Sequence, residues 1–266
     1  MILKKKIFYS HSENRMKNEG NVLHAREYFF SKKNRNLYYL LKNRFGWINN
    51  FINANDNCIE LGTGASFLKY FLNNKNVKTS DLASYDFIDY INIDAMDIKF
   101  PDSTFDKVIS SNMIHHIAFP LKHFREVFRI LKPNGLYIIQ DINCSIMTQL
   151  ITMLMRHEGF DFTVDPTNEH IPCNNPEDLW SGNIALPNLI FDNFENFKKK
   201  SGINFKLVHE HFSEFLIFLN SGGVIAKTKF FPLNKFFNNM VVKLDKMLVS
   251  LPKIFAMQRS IVLKKN

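Results

Sequence analysis

The chain has 266 residues, 45% of them hydrophobic and 22% charged. That is room for one large α/β domain with additions, and a composition that excludes collagen-like, low-complexity and wholly disordered proteins. The net charge of +9 is uneven, with eleven Lys and Arg against three Asp and Glu in residues 1–50 and ten against three in residues 201–266. Basic ends of this kind suit a polyanion or an anionic lipid surface. The abundance of Lys, Asn, Ile and Phe is also what an AT-rich genome favours, so the charge alone names no partner.

Cys58, Cys144 and Cys173 are far apart and none is paired with Cys or His at a zinc-ligand spacing, so a reduced cytoplasmic protein with no metal site is expected. No apolar run reaches the length of about 18 residues that a membrane span needs, and Met1 to Asn14 lacks the apolar core of a signal peptide.

In chain order, residues 1–22 are polar and without pattern, which predicts a flexible arm ahead of a single domain at 23–266. Within that domain, 23–56 carries apolar residues at helical spacings, among them Leu37, Leu40, Leu41, Phe45 and Ile48, and predicts amphipathic helices. The core, 57–142, opens with an apolar strand at 57–61 that ends in Gly62-Thr63-Gly64, followed by a helix whose buried face is Phe67, Leu68, Phe71 and Leu72. Further strands are predicted at 76–80 ending on Asp81, at 90–93 ending on Asp94, at 105–110 and at 136–142, with a helix at 120–131 stopped by Pro133-Asn134-Gly135.

Strands six and seven are expected at 205–210 and 257–263. This alternation predicts an α/β fold with a mostly parallel seven-stranded sheet, helices on both faces, N-terminal helices, and an insertion at 143–200 after strand five. Ligands of such sheets bind outside the carboxyl ends of the strands, which points to 62–66, Asp81, 94–96, 112–116 and 141–143. Glycines at 62 and 64 let the backbone approach a ligand. Asp81 can accept hydrogen bonds from a ribose, and Asp94 with the backbone of Ala95 and Met96 can read the edge of a base. Phe67 stands where a dinucleotide site has its third glycine, which argues against a pyrophosphate.

Cys58-Ile-Glu-Leu-Gly-Thr-Gly-Ala-Ser resembles the first motif of the Rossmann-like (class I) S-adenosylmethionine-dependent methyltransferases. Asp94-Ala-Met-Asp-Ile-Lys-Phe-Pro-Asp-Ser-Thr-Phe-Asp-Lys-Val, Asn112-Met-Ile-His-His and Arg129-Ile-Leu-Lys-Pro-Asn-Gly resemble the rest of that signature in order and spacing. The type 11 methyltransferases are the nearest form. The resemblance implies S-adenosylmethionine as cofactor, with Glu60, Gly62, Thr63 and Gly64 at its methionine part and Asp81 and Leu82 at the ribose. It places Asp94, Ala95 and Met96 at the adenine and Asn112 along the methionyl side. Two departures are Ser66, where the family often has a third glycine, and the short spacing from Asp81 to Asp94.

Methyl transfer to a hydroxyl needs a base. His115, His116, Asp141, His157 and His170 are candidates, and His116 with Asp141 lead because they follow strands four and five. Asn112-Met-Ile-His in place of the Asn/Asp-Pro-Pro-aromatic sequence of nucleic-acid amino methyltransferases argues against adenine or glutamine-amide methylation and favours an oxygen acceptor or a less constrained nitrogen, so a small molecule rather than a nucleic acid is the expected partner. His157 and Trp180 in the insertion are the candidate substrate contacts, and a sugar oxygen in a surface polysaccharide or a lipid-linked intermediate is the expected acceptor. An RNA methyltransferase and a non-catalytic cofactor-binding protein are the alternatives. Finally, 232–251 has a helical stripe, Leu233, Phe236, Phe237, Met240, Val241, Leu244, Met247, Leu248 and Leu251, with Lys235, Lys243 and Lys246 off it. Packing on the protein's own core is the preferred reading of that stripe; peripheral contact with the inner face of a membrane is the other.

Overall fold

A computed structural model describes residues 2–16, 20–178 and 180–266. Part of the expected arm (17–19) and Leu179, next to Trp180, lie outside the described residues. The elements in chain order are β1 (Lys6–Phe8), α1 (Val22–Phe30), α2 (Arg35–Gly46), β2 (Cys58–Leu61), β3 (Lys78–Ser80), β4 (Phe105–Ser111), α3 (Pro120–Ile130), β5 (Leu131–Ile142) and α4 (Ile146–Met155). There follow β6 (Gly159–Asp161), α5 (Leu186–Phe191), α6 (Phe194–Ser201), β7 (Phe205–Ser213), α7 (Leu216–Leu219), α8 (Lys235–Val249) and β8 (Gln258–Lys265).

Six strands form the main sheet in the order β3-β2-β4-β5-β8-β7, and only β8 runs against the others. The fold is therefore the mostly parallel α/β sheet that the sequence predicts. Alternate residues of each strand point to opposite faces. Ile59, Val108, Tyr137 and Ile139 pack with α3, α5 and α6, whereas Cys58, Ile109, Ile138 and Val262 pack with α1 and α2. Both faces are buried, which is why the strands read as nearly continuous apolar runs. From β2 the chain goes out to β3 and returns to the other side of β2 as β4, so strand order reverses between β2 and β4 and leaves a crevice at their carboxyl ends.

Four details correct the sequence expectation. Among the described residues the sheet has six strands rather than seven, because 90–93 forms only a single bridge, Ser80 to Tyr90, held by Tyr90 N donating to Thr79 O and Asp81 N to Tyr90 O. With so few residues between Asp81 and Asp94, no crossover helix forms to deliver a full strand. The helix expected after Gly64 is one 3₁₀ turn at Leu68–Tyr70, although Leu68 and Leu72 are buried as predicted. Strand five begins at Leu131 and carries an irregularity opposite Phe105 and Lys107, where Lys132-Pro133-Asn134-Gly135 loops out of register.

The fourth concerns the arm. Lys6–Phe8 pairs antiparallel with β6 in a small second sheet, so this part of the arm is docked on the insertion. A Cβ at Gly159 would lie 2.3 Å from Ile7 O, so the pairing of β1 with β6 requires glycine there. On the far side of the crevice, Arg44 of α2 makes two hydrogen bonds of 2.8 and 2.5 Å to the buried carboxylate of Glu214, just past β7.

Candidate active site

The loop after β2 turns through left-handed backbone at Gly62 (φ +63), Gly64 (φ +50) and Ser66 (φ +54). A Cβ at Gly62 would sit 2.6 Å from Met113 Cγ, while one at Gly64 would meet nothing within 4 Å. Gly62 thus closes the loop against the β4 loop, and Gly64 leaves open space on the crevice side. Asp81, just past β3, accepts from Gly64 N at 2.8 Å and from Ala83 N at 2.9 Å, so its carboxylate stands at the lip of the glycine loop. Glu60 is buried and accepts from the Thr63 hydroxyl at 2.5 Å. Burial, with a smaller push from the Asp81 charge against the pull of that hydroxyl, raises the Glu60 carboxyl to about 8.

Asp94 caps its own turn by accepting from Met96 N at 2.8 Å. The carbonyl of Ala95 in that turn is held by a buried chain of hydrogen bonds. A carbonyl can only accept, so His123 Nδ1 donates to Ala95 O at 2.8 Å. Burial pushes His123 down to about 4, so the ring is neutral and its Nε2 accepts from the Tyr137 hydroxyl at 2.7 Å, leaving that oxygen to accept from Ser110 Oγ at 2.8 Å. The turn at 94–96 is thereby tied to β4 and β5. Leu82 exposes 42% of its surface beside Asp81, an apolar face next to that acid. Asn112 has left-handed backbone (φ +49), donates its N–H to Gln140 O at 2.7 Å and accepts from Gln258 Nε2 at 3.0 Å.

These residues fit S-adenosylmethionine. The space over Gly64, the acid at the end of β3 and the buried Ser66 Oγ, which has no hydrogen-bond partner, lie where the glycine loop would receive the amino-acid and ribose parts of the cofactor.

The other half of the site is built from the β4 loop and the insertion. Asp141 is buried, and its oxygens accept from Met113 N (3.1 Å), Ile114 N (2.8 Å) and Ile142 N (2.7 Å) and bond His115 Nδ1 at 2.6 Å. The structure therefore assigns Asp141 to holding the loop and His115, with both oxygens engaged. Glu158, which the sequence analysis passed over, comes in from the insertion on left-handed backbone (φ +55) directly before β6. Its Oε1 lies 3.8 Å from His115 Nε2, 3.8 Å from His116 Nε2 and 3.4 Å from His157 Nε2. Trp180 packs edge-on to His116, with ring centroids 6.5 Å apart. His170 is exposed on the insertion and takes no part.

Three candidates from the sequence, His115, His116 and His157, thus gather around one glutamate, with Asp141 bonded to His115 and Trp180 beside His116. The only linear signal for that acid is its place in Arg156-His-Glu-Gly, where Gly159 permits β6 to pair. Asn183 fixes the insertion to the site by donating its N–H to His115 O at 2.8 Å and accepting from Asp161 N at 2.9 Å.

The electrostatics separate the two adjacent imidazoles. Burial works against charge on His115, but Asp141 and Glu158 outweigh it and raise the ring to about 10. Burial and the His115 charge push His116 down to about 4. Burial also works against charge on Glu158, yet His157 and His115 hold its carboxyl below the usual range. At neutral pH His115 is a cation, Glu158 an anion and His116 a neutral base whose Nδ1 donates to Ser181 O at 3.3 Å, which leaves the Nε2 lone pair toward Glu158. Ligand atoms of His115, His116 and Glu158 lie within 4.8 Å of one another, so the same groups could hold a divalent cation, an arrangement that linear spacing did not suggest. A surface cleft of about 460 Å³, lined by Asp102, Arg125, Arg129 and Lys265 among others, opens at the opposite end of the sheet and is unrelated to this site.

Residues 55–139 match the family model described as "Methyltransferase domain". The matched segment, about a third of the chain, is similar to a methyltransferase domain. The chain is 32% identical over 80 residues to a demethylmenaquinone methyltransferase of Clavibacter sepedonicus, which covers 30% of each chain. It is 28% identical over 90 residues to the ubiquinone/menaquinone biosynthesis C-methyltransferase UbiE of Pasteurella multocida, over 34% of this chain and 32% of the relative. The match therefore spans about a third of these relatives' length. A solved structure of a SAM-dependent methyltransferase from Archaeoglobus fulgidus aligns at 16% identity with a TM-score of 0.49, over 90% of this chain and 99% of that one. A putative S-adenosylmethionine-dependent methyltransferase from Listeria monocytogenes aligns at 13% identity with a TM-score of 0.45, over 84% of this chain and 98% of that one. Among the described residues, no helix is long and apolar enough to cross a membrane.

Proposed function

We propose that the chain is an S-adenosylmethionine-dependent methyltransferase acting on a small-molecule acceptor, an oxygen of a sugar or of a lipid-linked saccharide, at the cytoplasmic side of a membrane. The observation that carries this reading is that one short segment, Asn112 to His116, forms a wall of both halves of the crevice. Met113 closes the glycine loop at Gly62, and three residues later His116 faces Glu158.

When bound, the cofactor supplies an electrophilic methyl group on a sulfonium. Gly62, Thr63 and Gly64 shape the bed for its amino-acid part with Glu60 beneath, Asp81 and Leu82 receive the ribose, and the turn at Asp94, Ala95 and Met96 receives the base. Asn112 lines the methionyl side. On the acceptor side, His116 Nε2 would take the proton of the acceptor hydroxyl, and Glu158 would stabilise the imidazolium that results. Asp141 is a positioning residue here, because it fixes His115 and the two amides of the β4 loop. His157 and Trp180 border the same space and are placed to contact the acceptor, the indole offering a flat face to a sugar ring.

Calorimetric titration with S-adenosylhomocysteine, followed by labelled methyl transfer to a panel of sugar nucleotides, polyprenyl-linked saccharides and a polyprenylated quinol, tests the proposal. Micromolar cofactor binding with transfer to a saccharide oxygen is the expected result. No cofactor binding would overturn it, and transfer to the quinol ring alone would move the acceptor to carbon.

A further inference from the structure

The apolar stripe of α8 faces solvent. Phe236 (67% exposed), Phe237, Met240, Leu244, Met247 (63%) and Leu251 lie on one side of the helix in the open, while Asn238 (7%) and Asp245 (3%) face the protein. Asp245 accepts from Phe215 N at 3.0 Å and Ile217 N at 3.2 Å, which anchors the polar side of α8 on the start of α7. The expectation that this stripe packs on the core is thereby corrected. A second helix has the same inverted arrangement: α4 buries Thr148, Gln149 and Thr152 and exposes Leu150 and Leu154 (65%).

The start of α4 is joined to the segment that follows α8. Ile146 N donates to Lys253 O at 3.1 Å and Met147 N to Ile254 O at 3.0 Å. The N-terminal residues join the same rim, since Leu3 N donates to Gln149 Oε1 at 2.9 Å and Ile2 and Leu3 are exposed. The rim lies at the crevice end of the sheet, because α4 follows β5 directly and the segment from α8 enters β8 at Gln258, which pairs with Ile142 at the end of β5.

Its charge is of one sign. Between residues 215 and 257 the sequence has six lysines, all exposed, and one acid, the buried Asp245. Lys4 and Lys5 add to it beside Leu3. A helix with an exposed apolar stripe and flanking lysines fits the interface of an anionic bilayer, with the stripe among acyl chains and the lysines at headgroups. A nucleic acid would use the lysines and leave the Phe, Met and Leu side chains in water.

We propose that α8, α4 and residues 2–5 together form a docking surface for an anionic lipid membrane, and that this surface brings the crevice to an acceptor carried by the bilayer. The second clause rests on the methyltransferase reading; the first stands without it.

The test is flotation of the full chain with phosphatidylglycerol-containing and pure phosphatidylcholine vesicles across a salt series, with S-adenosylhomocysteine titrated on the same preparation. Binding to the anionic vesicles that weakens with salt is expected. The variant K235Q/K243Q/K246Q should bind about a hundredfold more weakly, near fivefold per lysine. The variant F236S/M240S/M247S should lose most vesicle binding with unchanged melting temperature and cofactor affinity, because each of these side chains is more than half exposed. Absence of vesicle binding overturns the docking surface, as does vesicle binding unaffected by either variant. Concentration-dependent dimerisation without vesicle binding reassigns the face to contact between copies, and RNA binding without vesicle binding reassigns the lysines; either result also overturns the proposal. Loss of cofactor binding with vesicle binding intact overturns the methyltransferase reading alone.

Discussion

The Tyr137 hydroxyl donates to His123 Nε2 across 2.7 Å of buried core, and through that ring the middle of β5 holds Ala95, a residue of the turn assigned to the cofactor's base. Replacing Tyr137 with Phe removes the donor and leaves His123 Nε2 and Ser110 Oγ unpaired in the core. A loss of about 1–3 kcal/mol of stability is expected, together with weaker cofactor binding as the Ala95 turn is released. Urea denaturation and calorimetry read the two effects, and unchanged cofactor affinity would show that the chain serves stability only.

The two glycines of the β2 loop should fail differently. Gly62→Ala combines left-handed backbone with a Cβ 2.6 Å from Met113 Cγ, so it should destabilise the protein beyond the roughly 1–2 kcal/mol of the backbone conformation alone and disturb both halves of the site. Gly64→Ala meets nothing within 4 Å. It should cost only the backbone strain, yet reduce cofactor affinity more than tenfold by filling the space the ligand needs. Comparing melting temperature with dissociation constant for the two variants separates these effects.

Cofactor binding should depend on pH through Glu60. In the free protein this carboxyl titrates near 8, so it is mostly protonated at neutral pH, and a cationic ligand selects the ionised form. Affinity should therefore rise between pH 6 and 9 and level off above the titration point, with proton release on binding at pH 7. For the free protein the sign is opposite, since ionising a buried acid costs stability as pH rises from the ordinary carboxylate range toward 8. Calorimetry in buffers of different ionisation enthalpy measures the proton count, and Glu60→Gln should abolish it.

Glu158→Gln and His116→Asn should leave S-adenosylhomocysteine affinity within a factor of about two and lower kcat by 10²–10⁴-fold, the usual range for general acid–base groups. Asp141→Asn should behave otherwise. It keeps the acceptor for Met113 and Ile114 but weakens the hold on His115, so melting temperature and activity should fall together.

The strands at 58–61, 105–111 and 136–142, the glycine loop and the acid after β3 are legible because each is set by a local pattern: an apolar run, a φ above zero, a polar residue at a strand end. Glu158 is not legible in that way. It reaches His116 from 42 residues away, and only because α4 ends on left-handed Arg156 and Gly159 lets β6 pair with β1. The exposure of α8 is hidden for another reason. An amphipathic stripe has the same spacing whether it faces a core or a bilayer, and what separates the two here is that Asp245 accepts hydrogen bonds from the start of α7 and Asn238 is buried on the same side. The missing third strand was foreshadowed by the few residues between Asp81 and Asp94.

Strand β1 belongs to two neighbourhoods at once. Its pairing with Gly159 supports the backbone that presents Glu158, and the residues just before it stand on the lysine-rich rim. Any free energy by which adsorption favours docked β1 also favours an assembled acceptor pocket, and by reciprocity an acceptor held in that pocket tightens adsorption by the same factor. On the proposed reading, surface attachment and substrate capture would be two readouts of a single equilibrium, linked by an amino-terminal strand that touches no reacting atom.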